Sequence, residues 1–273
     1  MKAFVLAEPG KVKWFDAPEP QLVPYGAILK PVAVTPCSSD VHTVFGGGSK
    51  KQDNLVLGHE CIAEVVSVGE NVCDFKTGDR VAVPAITPDW REKSIQEGND
   101  RHASAPFSGH QLGRTQPGVF SERFLIKDAD TTLAHIPQKI SEEQALMSVD
   151  VVTTGFTGAE YADIKIGDTV CVIGIGPIGL MAVAGAKLRG AARIIAVGTR
   201  PKCVQLAKYY GATDVLSYKE GDIVQQVKEL TNGKGVDATI IAGGTAEVLT
   251  QAYDMTRYGI GTISNINYFG GTG

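Results

Sequence analysis

No two of the five cysteines stand in a CxxC pair; Cys37, Cys61, Cys73, Cys171 and Cys203 are scattered and odd in number. Such usage gives neither a zinc ribbon nor a disulfide framework, and it fits a reducing, cytoplasmic setting. Basic clusters are equally scarce. The longest Lys/Arg run is Lys50-Lys51 and the formal charge is -4, so the positive surface needed to neutralise nucleic-acid phosphates is missing. No segment reaches the roughly 20 apolar residues that span a bilayer. The longest apolar stretch, Cys171 to Ala186, is interrupted by four glycines and a proline. The opening MKAFVLAEPG lacks the charged stretch, apolar run and small-residue cleavage site of a signal peptide. Nucleic acid and membrane are therefore not expected as partners, and neither an internal repeat nor a low-complexity tract is present.

What remains is an ordinary globular composition, with 43% hydrophobic and 21% charged residues. Its 273 residues exceed a typical single domain, so two domains are expected. From Met1 to about Asp150, short runs rich in Val, Ile and Phe alternate with turn residues: KAFVLA, KVKWF, AILKPVAV, CIAEVVSVG, RVAVPA and VFSERFLI. This half reads as all-β. A polar stretch over Thr87–Pro117 is too long for an ordinary connection of about 4–6 residues and reads as an active-site lobe. After Thr157 the pattern changes. TVCVIGI, RIIAVG, ATDVLS, GVDATIIAG and GIGTISN read as strands, separated by segments with apolar residues at three-to-four spacing. Pro177 and Pro201 mark helix starts, and Gly190, Gly211 and Gly233 mark stops. This alternation predicts an α/β fold with a doubly wound parallel sheet.

Gly174-Ile175-Gly176-Pro177-Ile178-Gly179 follows an apolar strand and opens a helix, the context a dinucleotide fingerprint requires. The first glycine permits a tight turn, the second lets a pyrophosphate approach the backbone, and the third allows close helix–strand packing. An acid at the end of the second strand would bind a ribose 2′-hydroxyl, but Gly198-Thr199-Arg200 stands there. A hydroxyl and a guanidinium suit a 2′-phosphate, so NADP is expected over NAD. Tyr218 either flanks the adenine or phosphate or is a surface tyrosine.

In the β-rich half, Cys37-Ser38-Ser39-Asp40-Val41-His42 and Gly58-His59-Glu60 place a thiol, imidazoles and carboxylates in an apolar framework. A catalytic zinc takes three ligands of these types and leaves one position open. Spacing alone leaves metal binding and simple packing both open.

These two motifs, the PAITPDW run at 84–90 and the GIGPIG fingerprint resemble, in order and spacing, the zinc-dependent medium-chain alcohol dehydrogenases, most closely their NADP-dependent secondary-alcohol branch. The resemblance implies a GroES-like catalytic domain over 1–153 and a Rossmann domain over 154–273 lacking its last strand. It implies one catalytic zinc held by Cys37, His59 and Asp150, with Glu60 adjacent and able to exchange. Read without the family, Asp150 is a helix N-cap or a surface acid. As a ligand in place of thiolate, a carboxylate makes the ion harder and strengthens its Lewis acidity. The resemblance also implies that Ser39 and His42 relay the alcohol proton, and that Ala85 and His110 line the substrate pocket. It gives Thr154 and Ile266-Asn267-Tyr268 cofactor or pocket contacts, although strand-end packing explains these residues equally well. The expected activity is hydride transfer between NADP(H) and a small secondary alcohol, ketone or aldehyde.

Several positions depart from the family. No cysteine lies between Cys73 and Cys171, so a second, structural zinc is not expected. Ala63 replaces a usual glycine, a mild change if its φ is negative, and His110 stands where relatives carry Trp. Family chains continue beyond the point where this one ends, at Gly270-Gly271-Thr272-Gly273. The chain thus reads as C-terminally truncated, with homo-oligomer (tetramer) assembly expected if that part is supplied. Two other readings remain: a non-catalytic dinucleotide-binding remnant, and a zinc-free quinone-reductase-like enzyme, which the Cys37/His59 pair disfavours.

Overall fold

A computed structural model describes residues 1–46, 54–98 and 109–269. Contacts divide the chain into two units, Met1–Asp150 and Val151–Gly273. The division falls just before the sequence-derived boundary, because the helix starting at Val151 belongs to the second unit.

The first unit runs β1 (Lys2–Glu8), β2 (Lys11–Asp16), β3 (Ala27–Thr35), α1 (Ser38–Phe45), β4 (Leu55–Val56), β5 (Glu60–Val68), β6 (Arg80–Val83), α2 (Lys93–Gln96), β7 (Phe124–Ile126), α3 (Ala129–Thr132), β8 (Ala134–His135) and α4 (Glu142–Ser148). Its strands form a sheet ordered β2-β1-β4 and another ordered β7-β3-β5-β6-β8, with every pairing antiparallel. Inward residues Leu29, Cys61, Ala63, Val65, Val81 and Val83 fill the core of the larger sheet, as period-two alternation requires. Pro31 sits where the β3–β5 register shifts, a place where its missing N–H is tolerated.

Two expectations for this unit need correction. It is β-rich but carries four short helices among the described residues, which the all-β reading missed. The run Val119–Ile126 forms a strand only from Phe124, because the earlier backbone is satisfied elsewhere. Val119 N–H donates to Gly58 O (3.0 Å), Phe120 N–H to Leu57 O (2.9 Å), and Phe4 N–H to Phe120 O (2.7 Å). The lobe expected over Thr87–Pro117 lies partly outside the described residues. Ala63 has no positive φ, so the glycine of relatives is not needed there.

In the second unit come α5 (Val151–Tyr161), β9 (Thr169–Ile173), α6 (Pro177–Leu188), β10 (Arg193–Val197), α7 (Pro201–Tyr210), β11 (Asp214–Leu216), α8 (Ile223–Leu230), β12 (Ala238–Ile241), α9 (Glu247–Met255) and β13 (Thr262–Asn265). The strands form one parallel sheet ordered β11-β10-β9-β12-β13. Successive residues of its central strands enter different cores. Val170, Val172, Ile194, Ala196 and Ile240 meet the α6 residues Ala182 and Val183. Cys171, Ile173, Ile195, Val197 and Ile241 meet Ile223 and Val227 of α8 and Ala252 of α9. Burial on both faces explains the near-continuous apolar strands, at roughly 1.5–3 kcal/mol for each large aliphatic side chain buried. Order reverses at β9, which has β10 on one side and β12 on the other, so the loop after β9 lies at the sheet's switch point. No helix among the described residues is long and apolar enough to cross a membrane.

Candidate functional site

Strand pairing assembles the cluster in the first unit. The β3–β5 ladder pairs Thr35 with Glu60, which brings Cys37, two residues past Thr35, beside His59 and Glu60. The β5–β6 ladder pairs Cys61 with Val83. Two residues past Val83, Ala85 N–H donates to Val149 O (3.1 Å) and so delivers Asp150 to the same place. Val149, Ala145 and Leu146 pack on Ile62 of β5, which holds this segment down. The potential ligand atoms of Cys37, His59, Glu60 and Asp150 all lie within 4.8 Å of one another. His59 Nε2 is 3.7 Å from Asp150 Oδ2 and 3.8 Å from Glu60 Oε1, while Cys37 Sγ is 4.0 Å from Asp150 Oδ2.

The electrostatics of this corner call for a cation. His59 and Glu60 are each 2% exposed, and Glu60 Oε2 has no hydrogen-bond partner among the described residues. Burial, then repulsion from Asp150, pushes the Glu60 carboxyl up to about 7. Burial opposes a charge on His59, but bonds to Asp150, Asp40 and Cys37 prevail and raise it to about 12. Two carboxylates and a thiol around a buried imidazole, one buried oxygen orphaned, form a donor set whose crowded acids a divalent ion would relieve. One sulfur, one imidazole and carboxylates match the ligand chemistry of zinc.

Sequence reasoning quoted Asp40 but gave it no role. Its Oδ1 is 3.5 Å from His59 Nδ1 and accepts the Gly58 N–H (3.2 Å), while Oδ2 accepts the Cys37 N–H (2.8 Å). One carboxylate thus links both stretches of the cluster and orients the imidazole. Burial works against its charge, yet the bonds to His59, Cys37 and Gly58 hold its carboxyl below the usual range. The signal was available: an acid three residues after a helix N-cap bonds back to the cap's N–H.

The other expected residues of this unit spread around the cluster. Ser39 Oγ lies 3.4 Å from His59 Nε2, and His42 is exposed on α1. Ala85 is buried. The His110 ring stands edge-on to His59, with centroids 4.5 Å apart and an interplanar angle of 72°. Burial, then the charges of His59 and Arg114, lower His110 to about 4, so its ring is neutral near pH 7.

In the second unit the fingerprint forms the turn between β9 and α6. Gly174 has φ +89°, and a Cβ there would come within 2.8 Å of Gly243 backbone. A Cβ on Gly179 would overlap the Gly174 carbonyl, so only glycine permits this helix–strand approach. Gly176 caps α6, Pro177 follows at the first turn, Ile175 is buried and Ile178 half-buried. A Cβ on Gly176 would meet only Arg200 Nη2, at 3.5 Å, so this backbone is open for a phosphate and a guanidinium lies beside it. Gly198 packs on Ile175, and Thr199 Oγ1 donates to the Tyr218 hydroxyl (3.1 Å). These features fit a phosphorylated dinucleotide. Thr154 is half-buried on α5, and Ile266 packs into the sheet core. Asn267 Nδ2 donates to Gly244 O (3.1 Å), and Tyr268 is exposed.

Comparison with known proteins agrees with both halves. Residues 24–138 match the alcohol dehydrogenase GroES-like domain, and residues 177–272 match the zinc-binding dehydrogenase family. The NADP-dependent isopropanol dehydrogenase of Thermoanaerobacter brockii is 55% identical over 99% of this chain and 76% of that protein. Its counterpart in Clostridium beijerinckii is 53% identical over 99% and 77%. Among solved structures, the apo zinc-dependent alcohol dehydrogenase 2 from Streptococcus pneumonia superposes with a TM-score of 0.89 at 28% identity, covering 99% of this chain and 77% of that one. With likeness of that order along nearly its whole length, the chain belongs to the zinc-binding alcohol dehydrogenase family.

Proposed function

We propose that this chain is an oxidoreductase that moves a hydride between NADP(H) and a small secondary alcohol or ketone. The observation that carries the reading is the convergence of Cys37, His59, Glu60 and Asp150 within 4.8 Å, with His59 and Glu60 buried and Cys37 and Asp150 half-buried. The T. brockii and C. beijerinckii relatives, named as NADP-dependent isopropanol dehydrogenases, support the choice of cofactor and of substrate class. Cys37, His59 and Asp150 would hold zinc, with Glu60 as an adjacent, exchanging ligand. When bound, zinc supplies Lewis acidity to polarise the substrate oxygen, and NADP(H) supplies or accepts the hydride.

The chain's own residues do the rest. Ser39, beside His59, passes the substrate proton, and His42, exposed on α1, exchanges it with solvent. In the reducing direction the carbonyl carbon gains the hydride and its oxygen gains that proton, giving alcohol and NADP+. Ala85 and His110 bound the substrate. The Gly174–Gly179 turn receives the pyrophosphate, while Gly198, Thr199, Arg200 and Tyr218 receive the adenosine 2′-phosphate. Thr154, Ile266, Asn267 and Tyr268 complete the cofactor contacts.

The test is butanone reduction by the purified chain with NADPH and with NADH, before and after chelation. The reading requires faster turnover with NADPH, loss on chelation and recovery with zinc. Equal rates with both cofactors, or indifference to the chelator, would contradict it.

A further inference from the structure

Asp150 belongs to the metal cluster, and α5 begins at the very next residue, Val151. The chain has no slack there. Five residues past Asp150, Gly155 is buried against the start of α6: a Cβ on it would lie 2.5 Å from Met181 Cβ, 2.6 Å from Ile178 O and 2.8 Å from Ala182 N. Ile178 is part of the glycine turn itself. One helical turn further on, a Cβ on Gly185 of α6 would come within 2.9 Å of Ala159 Cβ, so α5 stays pressed on α6 beyond this single contact. Interiors packed this closely hold little void, and a shift of one helix is passed to the other rather than absorbed.

We infer that Gly155 is a positioning residue: through α5 it ties the seating of Asp150 on the metal to the placing of Ile178, and so to the grip of the 174–179 turn on a phosphorylated dinucleotide. Without an ion, the carboxylates of Asp150 and Glu60 repel each other across the cluster. With one bound, both are drawn to it, and the residue that leads into α5 is fixed. Zinc then tightens the dinucleotide, and the dinucleotide tightens zinc by the same factor, because coupling between two binding sites is reciprocal. This inference rests on the proposed function, from which it takes both ligands.

The probe is 2′-phospho-ADP-ribose, which carries the pyrophosphate and the 2′-phosphate but no nicotinamide to meet the ion. Calorimetry measures its binding to the zinc-loaded and the chelated chain, at an ionic strength that screens direct attraction between ion and phosphate. Loaded wild type should bind it about 5- to 150-fold tighter, the usual span of coupling between sites, and the probe should raise zinc affinity equally in competition with a chromophoric chelator. In Gly155→Ala the added methyl parts the helices, so the factor should fall toward one while each ligand still binds. Amide hydrogen exchange in wild type should slow on zinc addition in α5 and at residues 178–182, and it decides the matter if Gly155→Ala does not fold. A factor of one in wild type, an undiminished factor in folded Gly155→Ala, or exchange at 178–182 indifferent to zinc overturns the inference and leaves the proposed function standing. Wild type that binds neither zinc nor the probe overturns the proposed function, and the inference with it.

Discussion

Asp40 Oδ1 stands 3.5 Å from His59 Nδ1, on the side of the ring away from Glu60 and Asp150, whose oxygens face Nε2. That contact fixes which nitrogen is turned toward the cluster. Partners of this kind typically change metal affinity 10–100-fold when removed. Asp40→Ala should therefore lower zinc affinity by about that factor, read by competition with a chromophoric chelator. Unchanged affinity would show that the imidazole is oriented by other means.

Gly58 supplies a second prediction. Its φ is +91° and a Cβ there would overlap the Phe120 ring, so alanine is strained in both backbone and packing. Gly58→Ala should cost about 2–5 kcal/mol, combining a left-handed backbone with overpacking. Denaturant unfolding measures the loss, and a variant within 0.5 kcal/mol of wild type would contradict the account.

Glu60 sets a pH dependence in the zinc-free chain. Burial and then Asp150 raise its carboxyl from 4.5 to about 7, so between those values the folded state holds a proton that the unfolded state has released. Folding stability therefore falls as pH rises from about 4.5 to about 7. The drop in melting temperature from pH 5 to pH 7.5, measured after chelation, should shrink in Glu60→Gln. An equal or larger drop in the variant would show that Glu60 does not carry the effect.

The proposed cofactor site assigns the choice of cofactor to Arg200, which lies beside Gly176 with no acid following β10. On that reading Arg200→Asp removes a charge-assisted bond to the 2′-phosphate and adds repulsion. The NADPH-to-NADH ratio of kcat/KM should fall by roughly 10- to 100-fold. An unchanged ratio would remove Arg200 from the phosphate site.

The dinucleotide half was legible because its signals are local: apolar strand, glycine turn, proline-started helix, repeated. Gly174 and Gly179 act through backbone approaches that only glycine allows, and such constraints leave a mark in the sequence. The metal half was harder to read. Cys37, His59 and Asp150 meet through strand pairing across long separations, and no local period records that Thr35 lies opposite Glu60. From residues alone Asp150 was a helix N-cap or a surface acid; the family resemblance singled it out, and the Ala85–Val149 hydrogen bond explains how it arrives. Helix α1 went unseen because Ser38–Phe45 has few apolar residues and starts at a cysteine cap. Asp40 was overlooked with it, since its role depends on being in that helix's first turn.

X-ray absorption at the zinc edge of the purified chain tests the central claim most directly. The account predicts one zinc per chain with a single sulfur neighbour at about 2.3 Å and nitrogen or oxygen neighbours at about 2.0–2.2 Å, the sulfur signal vanishing in Cys37→Ser. Two or more sulfurs per zinc, or a spectrum unaltered in that variant, would mean that the ion is not held by Cys37, His59 and Asp150.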